Sequence, residues 1–259
     1  EWADFPENYA AQTQMAWKKG RDHHLVRLRR GYPEPAWHHV LAHEATHIDF
    51  EAKARALGRN RWFTINDETR RKALRQMEPD IRRIARQGHS AERLAALAAQ
   101  LLEGAAGLLF NAPIDMAIES RLAREQPALR EAQLLSLDIL AGEAAALSSH
   151  REIRQITPER ILSVNDALIA AAALFLRDLS GGALDYAEAY RPFDCLARAE
   201  RLYAAYRDAE TEGIAPGREY DLVDDLASQL GVRAWYVWQA DSGPGGAAHA
   251  APAPGHRIE

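Results

Sequence analysis

Apolar residues recur at helical spacing along most of the chain, between Glu34 and Gly231, in segments rich in Ala, Leu, Arg and Glu. Glycine and proline interrupt this pattern and divide it into separate helices. The segment 24–30 differs because apolar and basic residues alternate there before the turn Gly31-Tyr32-Pro33, which is typical of a short strand. We therefore predict a mainly α fold, with helices near 36–57, 66–87, 90–109, 112–125, 128–148, 158–179, 192–211 and 217–230.

Composition and charge argue against some classes of function. The 259 residues carry 32 Lys and Arg against 37 Asp and Glu, a formal net charge of −5. This balance argues against a nucleic-acid-binding protein, whose surface is usually basic. The longest apolar run, 167–176, is too short to cross a bilayer, and the first residues show no signal-peptide pattern. We expect a cytoplasmic protein whose partners include neither nucleic acid nor a membrane.

The histidines are concentrated in one short segment. Four of the ten lie between His38 and His47, and two of them belong to the HExxH sequence His43-Glu44-Ala45-Thr46-His47. Helical residues four positions apart share a face, so both imidazoles can reach one metal ion, and Glu44 beside them can act as a general base. The single cysteine, Cys195, excludes a set of thiolate ligands. The pattern predicts a zinc site completed by a carboxylate.

The sequence around this motif resembles a known enzyme family. Residues 36–54, AWHHVLAHEATHIDFEAKA, resemble the active-site helix of zincin metallopeptidases, and the resemblance extends over 24–57. It implies a zinc-dependent peptidase that hydrolyses a peptide or protein substrate. It also implies a short edge strand before the helix, which pairs with the extended substrate, and the strand at 24–30 fits that place. The metzincin subgroup is excluded because its third histidine would fall at Lys53.

The third metal ligand is sought among carboxylates. A thermolysin-like spacing would use Asp67 or Glu68, but their position at a helix start is better explained by helix capping. Asp115 and Glu119 lie four residues apart in an otherwise apolar segment, where Asn111 is expected to cap the helix. This segment resembles the second metal-supporting helix of gluzincin enzymes. The resemblance implies that Glu119 binds zinc and that Asp115 supports a ligand, although the reversed order of the two acids leaves the opposite assignment open.

Three other residues are weaker candidates. Glu143, in an apolar helix, is a reserve metal ligand. His39, one turn before His43, is interpreted as a core or surface histidine rather than a residue of a substrate cleft. His150 follows a long helix and is a candidate donor to a developing oxyanion.

The predicted organisation has three parts and one main functional alternative. We expect a zincin-like core at 1–126, a helical region at 127–239 packed on it, and a disordered Gly/Pro/Ala-rich tail at 240–259. The non-enzymatic alternative is a helical interaction module built on a zincin scaffold. A di-iron helical bundle is disfavoured because it needs a second E-x-x-H sequence, which the chain lacks.

Overall fold

The fold is mainly helical, as predicted, and is described from a computed structural model for residues 1–5, 10–88 and 90–241. Short 3-10 turns occur at Pro127–Leu129, Ala187–Phe193 and Arg233–Trp235. Except for its first two residues, the tail expected to be disordered lies outside the described residues. The helices are α1 (Ala16–Lys19), α2 (Ala36–Ala56), α3 (Asp67–Ala85), α4 (Ala91–Glu125), α5 (Arg130–Ser148), α6 (Arg151–Ile156), α7 (Glu159–Leu179), α8 (Leu196–Glu212) and α9 (Glu219–Gln229).

Five short strands form two small sheets. They are β1 (Trp2–Ala3), β2 (Ala11–Gln14), β3 (Leu25–Arg29), β4 (Arg61–Thr64) and β5 (Val237–Ala240). In the first sheet β3 lies in the middle, parallel to β1 and antiparallel to β2. In the second sheet β4 pairs with β5, which brings the segment after α2 against the end of the described chain.

The strand predicted at 24–30 is present, but the prediction that it is an edge strand is wrong. Both of its edges are hydrogen-bonded, because Leu28 lies opposite Trp2 on one side and Ala11 on the other. The two partner strands have two and four residues, too few to show an alternating pattern in the sequence. β3 therefore has no unpaired edge at which a substrate backbone could add.

The two helices predicted at 90–109 and 112–125 are one continuous helix, α4. Pro113 lies inside it, so Asn111 is an internal residue and the expected helix cap is wrong. Proline removes a single backbone hydrogen bond from a helix, at a cost of about 3 kcal/mol. Packing offsets that cost, because Ala112, Ile114 and Ile118 around it are buried in the core.

Helix α4 is central to the packing of the described chain. It packs against α2, α3, α7 and α9, while α5 packs against α2. The main hydrophobic core extends from Phe50 to Tyr236 and so includes residues on both sides of the proposed 126/127 boundary. α4 is also the one helix of the described residues that could cross a membrane by length and composition, a criterion that a core helix can meet as well. The site described next lies where α2 faces α4 and α5.

Candidate metal centre

Two helices bring five ionisable side chains together. Helix α2 presents His39, His43 and His47 from three successive turns, because residues four apart share a helix face. Helix α4 presents Asp115 and Glu119 from two successive turns opposite them. The cluster is graded in burial: His39 and Glu119 are 2% and 3% exposed, whereas the side chain of Asp115 is 41% exposed.

The accessible end of the cluster has three ligand atoms close together. Nε2 of His43 and Nε2 of His47 are 3.1 Å apart, and both approach Oδ1 of Asp115, at 3.4 and 3.0 Å respectively. Ligands about 2.0–2.1 Å from a tetrahedral zinc ion lie about 3.3–3.4 Å from one another. The three atoms therefore have a spacing that fits three ligands of one zinc ion, with solvent access at Asp115.

The buried end of the cluster is centred on the carboxylate of Glu119. Its Oε1 accepts a hydrogen bond from Nδ1 of His43 at 2.7 Å. Nε2 of His39 lies 3.0 and 2.9 Å from its two oxygens, and Nε2 of Gln133 on α5 donates to Oε2 at 2.6 Å. A buried carboxylate is costly unless it is hydrogen-bonded, and here three donors converge on it.

The two acids of α4 contact different histidine nitrogens, and each completes a group that could hold a metal ion. These groups are His43, His47 and Asp115 at the accessible end and His39, His43 and Glu119 at the buried end. Glu119, the ligand expected from the sequence, contacts Nδ1 of His43 and Nε2 of His39 rather than the Nε2 atoms of His43 and His47. Glu119 lies one turn after Asp115 on α4. Its contacts with α2 are one turn before those of Asp115, at His39 and His43 instead of His43 and His47. Asp115 takes the place beside both Nε2 atoms.

The charges of these groups are strongly coupled. Burial disfavours the charged form of His43, but hydrogen bonds to Asp115 and Glu119 outweigh it and raise the pKa of His43 well above its usual value. Burial likewise works against ionised carboxyls. The neighbouring histidines nevertheless hold the pKa of Asp115 well below its usual range and lower the pKa of Glu119 to about 2. A metal ion that binds here must compete with the proton on His43.

The carboxylate of Glu44, the predicted general base, has no polar partner in the part of the chain that the structure describes. It is half-buried in the turn between His43 and His47, and lies about 60° from His47 around the helix. Its side chain makes no hydrogen bond or ion pair with any other residue that the structure describes. Its carboxylate is therefore not committed to a structural role.

Of the three weaker candidates, Glu143 and His150 lie outside the cluster, whereas His39 belongs to its buried end. Glu143 forms a two-point ion pair with Arg29 of β3, at 3.0 and 3.1 Å, and does not belong to the metal cluster. His150 is exposed, at the N-cap position of α6. His39 is buried, as one of the two predicted interpretations has it, and Nε2 contacts Glu119, while Nδ1 has no partner among the described residues.

Asp67 and Glu68 lie at the start of α3, as predicted, but the side-chain cap of this helix is Asn66 rather than either acid. Both lie in the first turn of α3, after a capping box in which Asn66 and Thr69 bond each other's backbone N–H. Neither residue belongs to the metal cluster.

Gln133 is the site residue that the sequence did not reveal. It is 1% exposed, and its amide donates to the backbone oxygen of Glu119 at 2.9 Å as well as to the carboxylate. A single glutamine in the helix Arg130–Ser148 has no distinguishing local pattern. The only available signal is its position among apolar residues such as Ala132 and Leu134, which indicates a buried amide that needs partners.

Comparison with known proteins gives no match. The chain matches no protein-family model, and neither a curated protein nor a solved structure matches it. The zincin resemblance therefore depends on residues 24–57 and on the segment of Asp115 and Glu119 alone.

Proposed function

We propose that this protein is a zinc-dependent peptidase whose zinc is held by His43, His47 and Asp115. The observation that carries the proposal is the triangle of Nε2, Nε2 and Oδ1 atoms, with sides of 3.0–3.4 Å, at the accessible end of the cluster. Three protein ligands and one open position are the usual arrangement of a catalytic zinc. Zinc held there would supply Lewis acidity, which polarises a peptide carbonyl and activates a water molecule.

The ligand role passes from Glu119 to Asp115 in this proposal. Glu119 accepts the Nδ1–H of His43 and so leaves the Nε2 lone pair of His43 facing His47 and Asp115. A carboxylate in that position also makes the imidazole a stronger ligand. The two acids of α4 thus have different tasks, one at each nitrogen of the same histidine.

Glu44 supplies the proton transfer. Its carboxylate accepts a proton from the attacking water and then passes that proton to the leaving amine of the cleaved peptide bond. The absence of a partner for Glu44 among the described residues supports this role, because an ion pair would hold the carboxylate away from the reacting atoms.

An extended substrate cannot pair with β3, the strand expected from the sequence, and needs another strand. β3 is paired on both sides, whereas β2 is an outer strand of the same sheet and packs against α2. We assign the pairing of an extended substrate to the outer edge of β2, where backbone hydrogen bonds would hold the peptide beside the histidine helix.

The substitution Glu44→Gln tests the mechanism. We expect the variant to keep stoichiometric zinc and to lose hydrolysis of an unfolded protein or peptide library by about 10²- to 10⁴-fold. The matched control is Glu200→Gln, at an exposed position on α8, which should change neither property. Full hydrolysis by Glu44→Gln would refute the role of Glu44. A wild-type protein that binds zinc and cleaves no peptide would refute the peptidase and favour a non-catalytic interaction module.

A further inference from the structure

Both polar atoms of the Gln133 side-chain amide are hydrogen-bonded. Its amide nitrogen donates to two acceptors of Glu119, the backbone oxygen at 2.9 Å and Oε2 at 2.6 Å. Its amide oxygen accepts from Nη1 of Arg130 at 3.0 Å, one turn earlier on α5. The orientation of this buried amide is therefore determined, and the nitrogen faces the carboxylate.

The bond from Gln133 determines which oxygen of Glu119 meets which histidine. Gln133 occupies Oε2, while Nδ1 of His43 occupies Oε1 at 2.7 Å. Nε2 of His39 is nearly equidistant from both oxygens, at 3.0 and 2.9 Å, and so does not select either one. Without Gln133 the carboxylate could rotate toward His39 and loosen its bond to His43.

Stability alone does not account for this network. A buried cluster of charged and polar groups is often no more stable than apolar side chains of the same volume. The surrounding helices already pack through apolar contacts, since α5 packs against α2 and Ala132 beside Gln133 is buried. The specific consequence of the network is the fixed orientation of one carboxylate against one ring nitrogen of His43.

We propose that Gln133 is a positioning residue of the metal centre. It keeps Oε1 of Glu119 on the Nδ1–H of His43 and thereby keeps Nε2 of His43 available to the metal. Helix α5, which belongs to the C-terminal part of the chain, is in this way coupled to metal affinity. The inference deepens the proposed function and rests on it.

The substitution Gln133→Met tests the inference, because methionine has a similar volume and no hydrogen-bond donor. We expect zinc affinity, measured by competition with a chromophoric chelator, to fall by about 10-fold, the lower end of the effect of losing the direct partner of a metal-binding histidine, because Gln133 acts through Glu119. In the metal-free protein, at a pH high enough for the His43 imidazole to be neutral, histidine ¹⁵N NMR should show His43 losing its preference for the Nδ1–H tautomer. A second and milder variant, Arg130→Met, keeps the amide but removes its anchor and should change both quantities less.

Two controls separate positioning from general damage to the helix. Ser136→Ala removes a buried hydrogen bond between Oγ of Ser136, on the same helix, and the Tyr32 hydroxyl, and it should leave zinc affinity and the His43 tautomer unchanged. In a Glu119→Gln background, Gln133→Met should add no further loss, because Gln133 acts through Glu119.

The outcomes distinguish this inference from the proposed function. Unchanged zinc affinity and tautomer in Gln133→Met would overturn the role of Gln133, and an equal loss in Ser136→Ala would assign the effect to helix docking. A wild-type protein that binds no zinc would refute the proposed function instead. The tautomer measurement still decides the role of Gln133 in that case, because it uses the metal-free protein.

Discussion

Glu219 provides a test of how burial changes the pKa of a carboxyl group and, through it, the stability of the protein. It lies at the start of α9, is 2% exposed, and accepts the backbone N–H of Gly217 at 2.6 Å. Burial raises the pKa of Glu219 to about 7, with smaller contributions from the charges of Asp221 and Glu51, while backbone hydrogen bonds oppose the rise. The carboxyl therefore binds its proton more tightly in the folded chain than in the unfolded chain.

The sign and size of the effect on stability follow from this difference. The contribution of Glu219 is most favourable below about pH 4.5, where the group is protonated in both states, and it is lost as the pH rises through about 7. One pKa unit corresponds to about 1.4 kcal/mol, so the full loss is about 3 kcal/mol. Glu219→Gln cannot ionise and should not show this loss.

Urea unfolding at pH 4.5 and pH 8.5 measures the effect. The free energy of unfolding of Glu219→Gln, relative to wild type, should increase by about 3 kcal/mol between the two pH values. Glu200→Gln, at an exposed position, is the control and should show no such increase. The reasoning is refuted if the difference between Glu219→Gln and wild type is the same at both pH values.

Three further substitutions test the packing of the fold, each by the free energy of unfolding in urea. Gly217→Ala should destabilise the protein by more than Gly213→Ala, because both glycines have φ near +85° but only at Gly217 would a new Cβ lie 2.6 Å from Cβ of Arg59; equal losses would exclude a steric effect. Asn66→Ala should cost about 1 kcal/mol, because it removes the side-chain cap of α3; no loss would show that the cap is not needed. Tyr206→Phe should cost about 1–2 kcal/mol, because its buried hydroxyl bonds two groups on α4; an unchanged stability would contradict the contribution of these bonds.

The features that the sequence predicted are those that depend on local pattern. Helix α2 and the spacing of His43 and His47 depend only on residues a few positions apart, and the strand β3 is recognised by its alternation. The two acids of α4 were identified because charged residues are costly in an apolar helix. Their separate roles depend on how α2 crosses α4. The spacing of Asp115 and Glu119 along one helix does not predict that crossing.

The features that the sequence missed depend on contacts between distant segments. The partners of β3 come from strands too short to be recognised, so its central position in the sheet was not predicted. Pro113 indicated a helix boundary locally, whereas burial of the residues on both sides maintains one helix. Gln133 belongs to the site only because α5 packs beside α2 and α4, and its sequence neighbours do not indicate this.

The location of the bound metal tests the central claim most directly. Crystals of the zinc-loaded protein, with anomalous scattering measured on both sides of the zinc absorption edge, would place the ion. We predict one peak about 2.0–2.2 Å from Nε2 of His43, Nε2 of His47 and a carboxylate oxygen of Asp115. A peak bound by Glu119 and His39 instead, or no peak at the cluster, would contradict the account.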